Sequence, residues 1–305
     1  MTIDIESALT TTAQALQSVS DSPRLDAELL LVSVLDEPRS HLFAHPDEAL
    51  STEDAVRLSA LVQRRLNHEP IAYLTGEKEF WSLPLMVSTA TLVPRPETEL
   101  LVAATLALIP RDASMAVLDL GTGSGAIAIA ISSERPLCRI VATDLSSPAL
   151  TIAAANAERH ELTNITFLQG DWLEPVADRT FDLVVSNPPY VAENDAAMNL
   201  LRCEPRIALV AGEDGLDAIR RIAADAGKNL VGGGALLVEH GADQEEAVAQ
   251  VLADEGWDNI QCLPDLSNLP RVTCAMWKPH EEGQEPVGLR THLLRQQATN
   301  RLWIK

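Results

Sequence analysis

From Met115 onward the 305-residue chain alternates short apolar runs with helix-forming segments, and this alternation narrows the fold more than any other feature. Strands are predicted at 116–120, 140–143, 165–169 and 181–185, and again at 235–240, with Ala- and Ile-rich helical stretches among the connections. Near-continuous apolar runs of this length belong to strands covered on both faces, the condition of a mainly parallel sheet flanked by helices. The expected fold class is therefore α/β, a doubly wound sheet, completed by 260–263 and 272–277 as an antiparallel edge pair. Ligands of such sheets bind outside the carboxyl ends of the strands, so the residues that follow each strand form the candidate site.

The first strand runs into Gly121-Thr122-Gly123-Ser124-Gly125-Ala126 at the head of a helix. Glycines let the chain turn sharply and approach a ligand, and the helix N-terminus supplies unpaired N–H groups. The second strand ends in Asp144, twenty-one residues after Gly123, where an acid can grip a ribose diol. The plainer role for Asp144 is a helix cap, although Ser147 ahead of Pro148 is better placed for that. Gly121, Gly123 and Ala126 also satisfy the looser dinucleotide fingerprint. Turn and acid thus point to an adenosine-containing cofactor without choosing which. After the third strand, Asp171 and Trp172 can hold an adenine ring by hydrogen bond and by flat packing.

The fourth strand stops abruptly at Ser186-Asn187-Pro188-Pro189-Tyr190, because proline has no N–H to give a ladder. The Asn187 side-chain oxygen and the Pro188 carbonyl can each accept a hydrogen bond, and Pro188-Pro189 holds them in fixed relation. A planar NH2 group offers two donors to such a pair, and Tyr190 offers a flat face to the group that carries it. Asn-Pro is also an ordinary turn starter, so the motif alone reads equally as a strand-ending turn; beside the glycine turn it reads as a clamp. No strong base stands next to it in sequence. His240, at the end of the fifth strand, reads as a structural residue because no nucleophile pairs with it.

Residues 4–75 read as three or four helices. Ser22 is placed to cap one that starts at Pro23, with Leu25, Leu29, Leu30 and Val34 as its core face; another carries Ala55, Leu58, Leu61 and Val62 between Glu53, Asp54 and Arg64, Arg65. The expected domains are a helical substrate-recognition domain at 1–75, a hairpin linker at 76–93, the α/β domain at 94–278 and a dispensable tail at 279–305. Arg95 and Glu97, near the start of a helix, can form a structural pairing or face the cofactor and substrate; spacing alone favours the structural pairing. A net charge of −21 argues against a chain that lives on nucleic acid, whose binding rests on clustered Lys and Arg. Cys138, Cys203, Cys262 and Cys274 lack zinc-ligand spacing and read as buried thiols of a reducing cytoplasm, with no metal. Neither a leader sequence nor a membrane-spanning run is expected.

The order Asp119-Leu120-Gly121-Thr122-Gly123-Ser124-Gly125, Asp144, Asp171-Trp172 and Asn187-Pro188-Pro189-Tyr190 resembles class I S-adenosylmethionine-dependent methyltransferases that act on planar nitrogens. Residues 23–30, 69–76, 80–85 and 94–99 (PRLDAELL, EPIAYLTG, FWSLPL, PRPETE) further resemble the bacterial release factor glutamine methyltransferases, and the likeness spans about residues 20–277. The resemblance implies a Rossmann-like, seven-stranded methyltransferase domain behind a small helical domain and a hairpin linker; a monomer is expected, in the cytoplasm that the cysteines point to. Its substrate would be the glutamine side chain in the Gly-Gly-Gln loop of class I peptide chain release factors, methylated at N5 with S-adenosyl-L-homocysteine as co-product. By the same resemblance Gly121, Thr122, Gly123, Ser124 and Gly125 line the methionine and ribose part of S-adenosyl-L-methionine, Asp144 holds the ribose, and Asp171 and Trp172 border the adenine. Asn187 and Pro188 bind the amide nitrogen, Pro189 shapes the pocket and Tyr190 packs on the amide plane. The rival readings are an adenine or guanine N-methyltransferase of nucleic acid, a non-enzymatic cofactor-binding protein and an NAD-dependent dehydrogenase.

Overall fold

The computed structural model describes residues 3–278, so the expected tail lies outside the described residues. The chain divides into two compact units, one holding the described residues up to Glu77 with Val87–Thr89, the other Lys78–Met86 and the described residues from Ala90 onward.

The first unit contains α1 (Ile5–Leu16), α2 (Pro23–Leu35), α3 (Arg39–Ala44), α4 (Thr52–Leu66) and α5 (Ile71–Thr75) around a core that includes Leu9, Leu16, Leu30, Leu31 and Leu58. Asp4 accepts from the Ser7 N–H at 2.8 Å and Ser51 from the Asp54 N–H at 3.0 Å, capping α1 and α4. Ser22 precedes α2 as expected but closes no such bond. Its backbone, at φ −137° and ψ 62°, is not in the extended geometry that aims the other two caps at their helices. The buried face of α2 also differs from the expected one. Leu25 is 40% exposed, because Asp26 turns inward to meet Arg65 of α4 at 2.9 Å and Ala27, Leu30, Leu31 and Val34 follow it. Arg65 donates further to the Val19 carbonyl, at 3.1 Å, so it ties helices together rather than flanking one.

The second unit opens with the hairpin β1 (Glu77–Phe80) and β2 (Leu83–Met86), whose Phe80 and Leu85 join the unit's core. Its sheet holds β3 (Ala116–Leu120), β4 (Arg139–Asp144), β5 (Ile165–Gln169), β6 (Phe181–Ser186), β7 (Leu230–Glu239), β8 (Asp258–Pro264) and β9 (Pro270–Met276) in the order β5-β4-β3-β6-β7-β9-β8. All neighbours are parallel except those of β9, which runs antiparallel between β7 and the edge strand β8. Helices α6 (Glu99–Leu108), α7 (Ala126–Glu134), α8 (Ser147–Arg159), α9 (Asp217–Ala226) and α10 (Glu245–Asp254) complete the unit.

Two cores flank the sheet, and the two-residue period of a strand deals side chains to them alternately. Val117, Leu183, Val185 and Leu237 face one; Leu118, Val184, Leu236 and Val238 face the other. The triple glycine at 232–234, expected before the fifth strand, lies inside it: a Cβ on Gly234 would sit 2.9 Å from the Asp182 carbonyl, so only glycine lets β7 approach β6 there. Register pairs Leu120 with both Thr143 and Ser186, bringing the ends of β4, β3 and β6 level. Because the chain moves outward in opposite directions from β3 and β6, the crevice between their ends is the topological switch point.

None of the four cysteines is in a disulfide; Cys138 and Cys274 are buried as expected, while Cys203 and Cys262 are only half-buried. Among the described residues no helix is long and apolar enough to cross a membrane.

Candidate active site

A cavity of about 430 Å³ opens at this switch point, lined by the glycine turn after β3, the ends of β4 and β6, and the segment leading into α6. The turn is held from behind. Asp119, wholly buried, accepts from the Thr122 hydroxyl at 2.6 Å and the Ala128 N–H at 3.2 Å, and burial pushes its carboxyl up to about 7. The Gly121 and Thr122 N–H groups donate to the Thr143 carbonyl at 2.9 and 3.0 Å. Asn156 of α8 donates to the Ser124 carbonyl at 2.9 Å while bridging both backbone groups of Met86 in β2. Sequence reasoning passed over Asn156, a polar residue in an alanine-rich helix.

The turn's glycines do different work. Gly123, at φ 57°, lines the cavity, and a Cβ there would meet no protein atom within 4 Å. Gly125, at φ 84°, is not among the lining residues; its missing Cβ leaves room for the Ile129 side chain of α7 and for Ala153 of α8. Gly121, Thr122 and Ser124 do line the cavity.

Asp144 reaches it from the end of β4, where its oxygens accept from the Gly123 N–H and the Ser146 N–H, both at 2.8 Å. Each oxygen keeps a second lone pair for a hydroxyl donor. The cap of α8 is Ser146, not Ser147: its hydroxyl accepts from the Ala149 N–H at 3.2 Å, one residue earlier than expected. Trp172, in the left-handed region at φ 51°, brings its ring beside Gly121. Asp171 lines the cavity but pairs with Arg221 of α9 at 2.6 Å, so its carboxylate is shared with a cation the sequence did not single out.

From β6, Asn187 and Pro189 line the cavity, while Pro188 is buried behind them. The Asn187 NH2 donates to the Thr98 hydroxyl at 3.0 Å, which leaves the Asn187 Oδ1 able to accept. The backbone beyond is pinned: the Tyr190 carbonyl accepts from Gln244 at 3.0 Å, and Val191 exchanges bonds with Leu209 and Ala211 at 2.8 and 3.0 Å. Burial and the neighbouring Glu239 push the Tyr190 phenol up to about 12, so it stays neutral. Arg95 pairs with the buried Glu204, which also accepts from the Val93 N–H at 3.0 Å; the structural pairing expected of Arg95 is real, with Glu204 rather than Glu97 as partner.

His240 is wholly buried between the Gly241 carbonyl and the Thr273 hydroxyl, each 2.8 Å away, as a structural histidine should be. Its neighbour Glu239 is the residue sequence reasoning missed. It is fully buried at the end of β7, close to Thr98 and Tyr190, and burial pushes its carboxyl up to about 7. The available signal was its place at a strand's carboxyl end, the rule that had already singled out Asp144 and Asn187.

The arrangement can hold an elongated adenosyl ligand against the glycine turn and present an amide-like acceptor to a second molecule. The cradle at Gly123 and the acid at Asp144 fit a nucleoside; the carboxamide of Asn187 is placed for a donor beyond it.

Comparison with known proteins agrees with this geometry. Residues 7–76 match the family model described as PrmC N-terminal domain, and residues 96–207 the one described as Methyltransferase small domain. The chain is 47% identical to the release factor glutamine methyltransferase of Coxiella burnetii over 90% of its own length and 99% of that protein's. It is 48% identical to that of Vibrio cholerae, covering 92% and 100%. With that of Escherichia coli it shares 45% identity, over 83% and 92%. Among solved structures, a methyltransferase from Pyrococcus furiosus aligns with a TM-score of 0.51 at 18% identity, covering 73% of this chain and all of that one, a likeness of fold. The two domains, in this order and at this identity over nearly the whole chain, make the protein a member of the release factor glutamine methyltransferase family.

Proposed function

We propose that this enzyme transfers a methyl group from S-adenosylmethionine to the side-chain amide nitrogen of the glutamine in the Gly-Gly-Gln loop of class I peptide chain release factors. The observation that carries the reading is Asn187, which gives its NH2 to Thr98 and so turns its oxygen toward any donor at the cavity's edge. On this reading Gly121, Thr122, Gly123 and Ser124 hold the cofactor's methionine and ribose, Asp144 takes the ribose hydroxyls, and Trp172 with Asp171 borders the adenine. The cofactor supplies a sulfonium methyl, an electrophile that needs no activation. The protein's burden is the nucleophile, since an amide lone pair is delocalised into its carbonyl.

Asn187 Oδ1 and the Pro188 carbonyl accept the two amide hydrogens away from the amide plane. This favours a pyramidal nitrogen with its lone pair free, a case of positioning joined to electrostatic stabilisation. Tyr190 packs on the amide as a neutral ring. The proton released on transfer leaves to water or to a neighbouring group. The helical domain, residues 1–75, reads the release factor; we place the enzyme in the cytoplasm, as a monomer.

The test is methyl transfer from labelled S-adenosylmethionine to a purified release factor, to the same factor with the Gly-Gly-Gln glutamine replaced, and to duplex DNA. Label on the first alone supports the reading. Label on DNA moves the chain to base modification, and no label despite cofactor binding leaves a non-enzymatic protein.

A further inference from the structure

Glu239 is wholly buried, and among the described residues neither of its carboxylate oxygens has a partner at hydrogen-bond geometry. A buried carboxyl met by no more than loosely placed hydroxyls is costly, and in a strand built otherwise of Leu, Val, Ala and Gly it has no packing purpose. Its address is specific. Ser186 of β6 pairs with Val238 of β7, so Glu239 stands level with Asn187 at the sheet edge. The hydroxyls of Thr98 and Tyr190 approach it.

Asn187, Thr98 and Glu239 form a row of hydrogen-bonding groups. The Thr98 hydroxyl has one proton, and it accepts from the Asn187 NH2 at 3.0 Å. If Thr98 turned its proton toward Asn187 instead, the carboxamide would flip and show its NH2 to the substrate amide, donor against donor. What prevents this is an acceptor on the far side of Thr98, and an ionised Glu239 can only accept.

We propose that Glu239 is a positioning residue of the methyl-transfer site: it takes the Thr98 proton, commits Thr98 to accept from Asn187, and thereby fixes the Asn187 oxygen toward the substrate nitrogen. Protonated, Glu239 can donate to Thr98 and reverse the row, so the clamp loses its polarity in acid. The groups facing Glu239 are Thr98 and Glu97 from the turn before α6, Tyr190 after β6, and Arg271 of β9, which is itself held by Asp265 and the His240 carbonyl, both at 3.4 Å. Burial outweighs the pull of Arg271, and the carboxyl titrates at about 7.

This inference rests on the proposed amide chemistry for its kinetics, but its structural half can be read without a substrate. In nuclear magnetic resonance of the cofactor-loaded enzyme, with the Asn187 side-chain NH2 signal assigned by Asn187→Ser, that signal shifts with a single ionisation near neutrality. In Glu239→Gln it is flat. In methyl transfer to a release factor, Glu239→Gln and Thr98→Val each lose about 10- to 100-fold in kcat while KM and S-adenosylhomocysteine affinity stay within about threefold. Thr98→Ser restores most of the rate, and Glu239→Gln loses the acid limb of the wild-type pH profile. A wild-type Asn187 signal that does not titrate overturns the inference whatever the substrate. So do both variants at wild-type kcat with the acid limb intact. Absence of transfer by the wild type, with the titration present, overturns the proposed function alone.

Discussion

The glycine turn contains two positions whose substitution by alanine separates stability from binding. Both have positive φ, 57° at Gly123 and 84° at Gly125, so either alanine carries a left-handed penalty of about 1–2 kcal/mol. There the likeness ends. At Gly125 the new methyl would lie 2.9 Å from Ile129 Cδ1 and 3.1 and 3.3 Å from Ala153 Cβ and Cα, a clash with a neighbouring helix backbone that adds about 1–3 kcal/mol of overpacking. At Gly123 it meets no protein atom and takes up cavity space instead. Gly125→Ala therefore costs roughly 2–5 kcal/mol and lowers Tm by at least twice as much as Gly123→Ala, each kcal/mol being worth about 2–4 °C at this size. Gly123→Ala weakens S-adenosylhomocysteine binding about tenfold or more, the equivalent of 1.4 kcal/mol. In Gly125→Ala the folded fraction binds within about threefold of wild type. Thermal unfolding beside calorimetric titration of both variants decides it. If Gly123→Ala bound normally, or the two variants lost equal stability, the assignment of the turn would be wrong.

Three further outcomes follow from buried and paired charges. Asp26→Ala leaves Arg65 without its carboxylate in the core of the first unit and costs about 3 kcal/mol, seen as early proteolysis or unfolding of residues 3–77 while cofactor binding persists. Asp119 ionises at 3.8 when unfolded but at about 7 in the fold. Between those values the native state keeps a proton the unfolded state has lost, so its contribution is full below 3.8 and disappears as pH rises through 7. Asp119→Asn consequently gains stability relative to wild type between about pH 5 and pH 8 in urea unfolding, and a pH-independent difference would contradict the burial argument. Asp171→Asn, breaking an exposed pair with Arg221, changes stability by less than about 1 kcal/mol and acts on cofactor affinity instead, as calorimetry would register.

The sheet was legible because its strands are short apolar runs with unmistakable stops, such as Gly121 after β3 and Pro188-Pro189 after β6. The site was legible where one residue announces its own geometry: a glycine that must turn, a proline that cannot pair. What stayed hidden depends on tertiary neighbours. Nothing local distinguishes Gly125 from Gly123, since only the approach of α8 makes one a packing residue. The exposure of Leu25 follows from Arg65, thirty-nine residues beyond Asp26. Thr98 and Glu239 meet Asn187 only once α6, β6 and β7 are assembled, so their roles could not be read from any one segment.

The proposed chemistry requires Asn187 to act on the substrate rather than on the cofactor. The direct test is kcat for methyl transfer to a release factor by Asn187→Ala, with S-adenosylhomocysteine affinity measured on the same preparation. Loss of about 100- to 1,000-fold or more in kcat, with affinity within about threefold of wild type, is the predicted result. A variant that turns over at a near-normal rate would contradict the clamp, and with it the mechanism built on the oxygen that Thr98 leaves free.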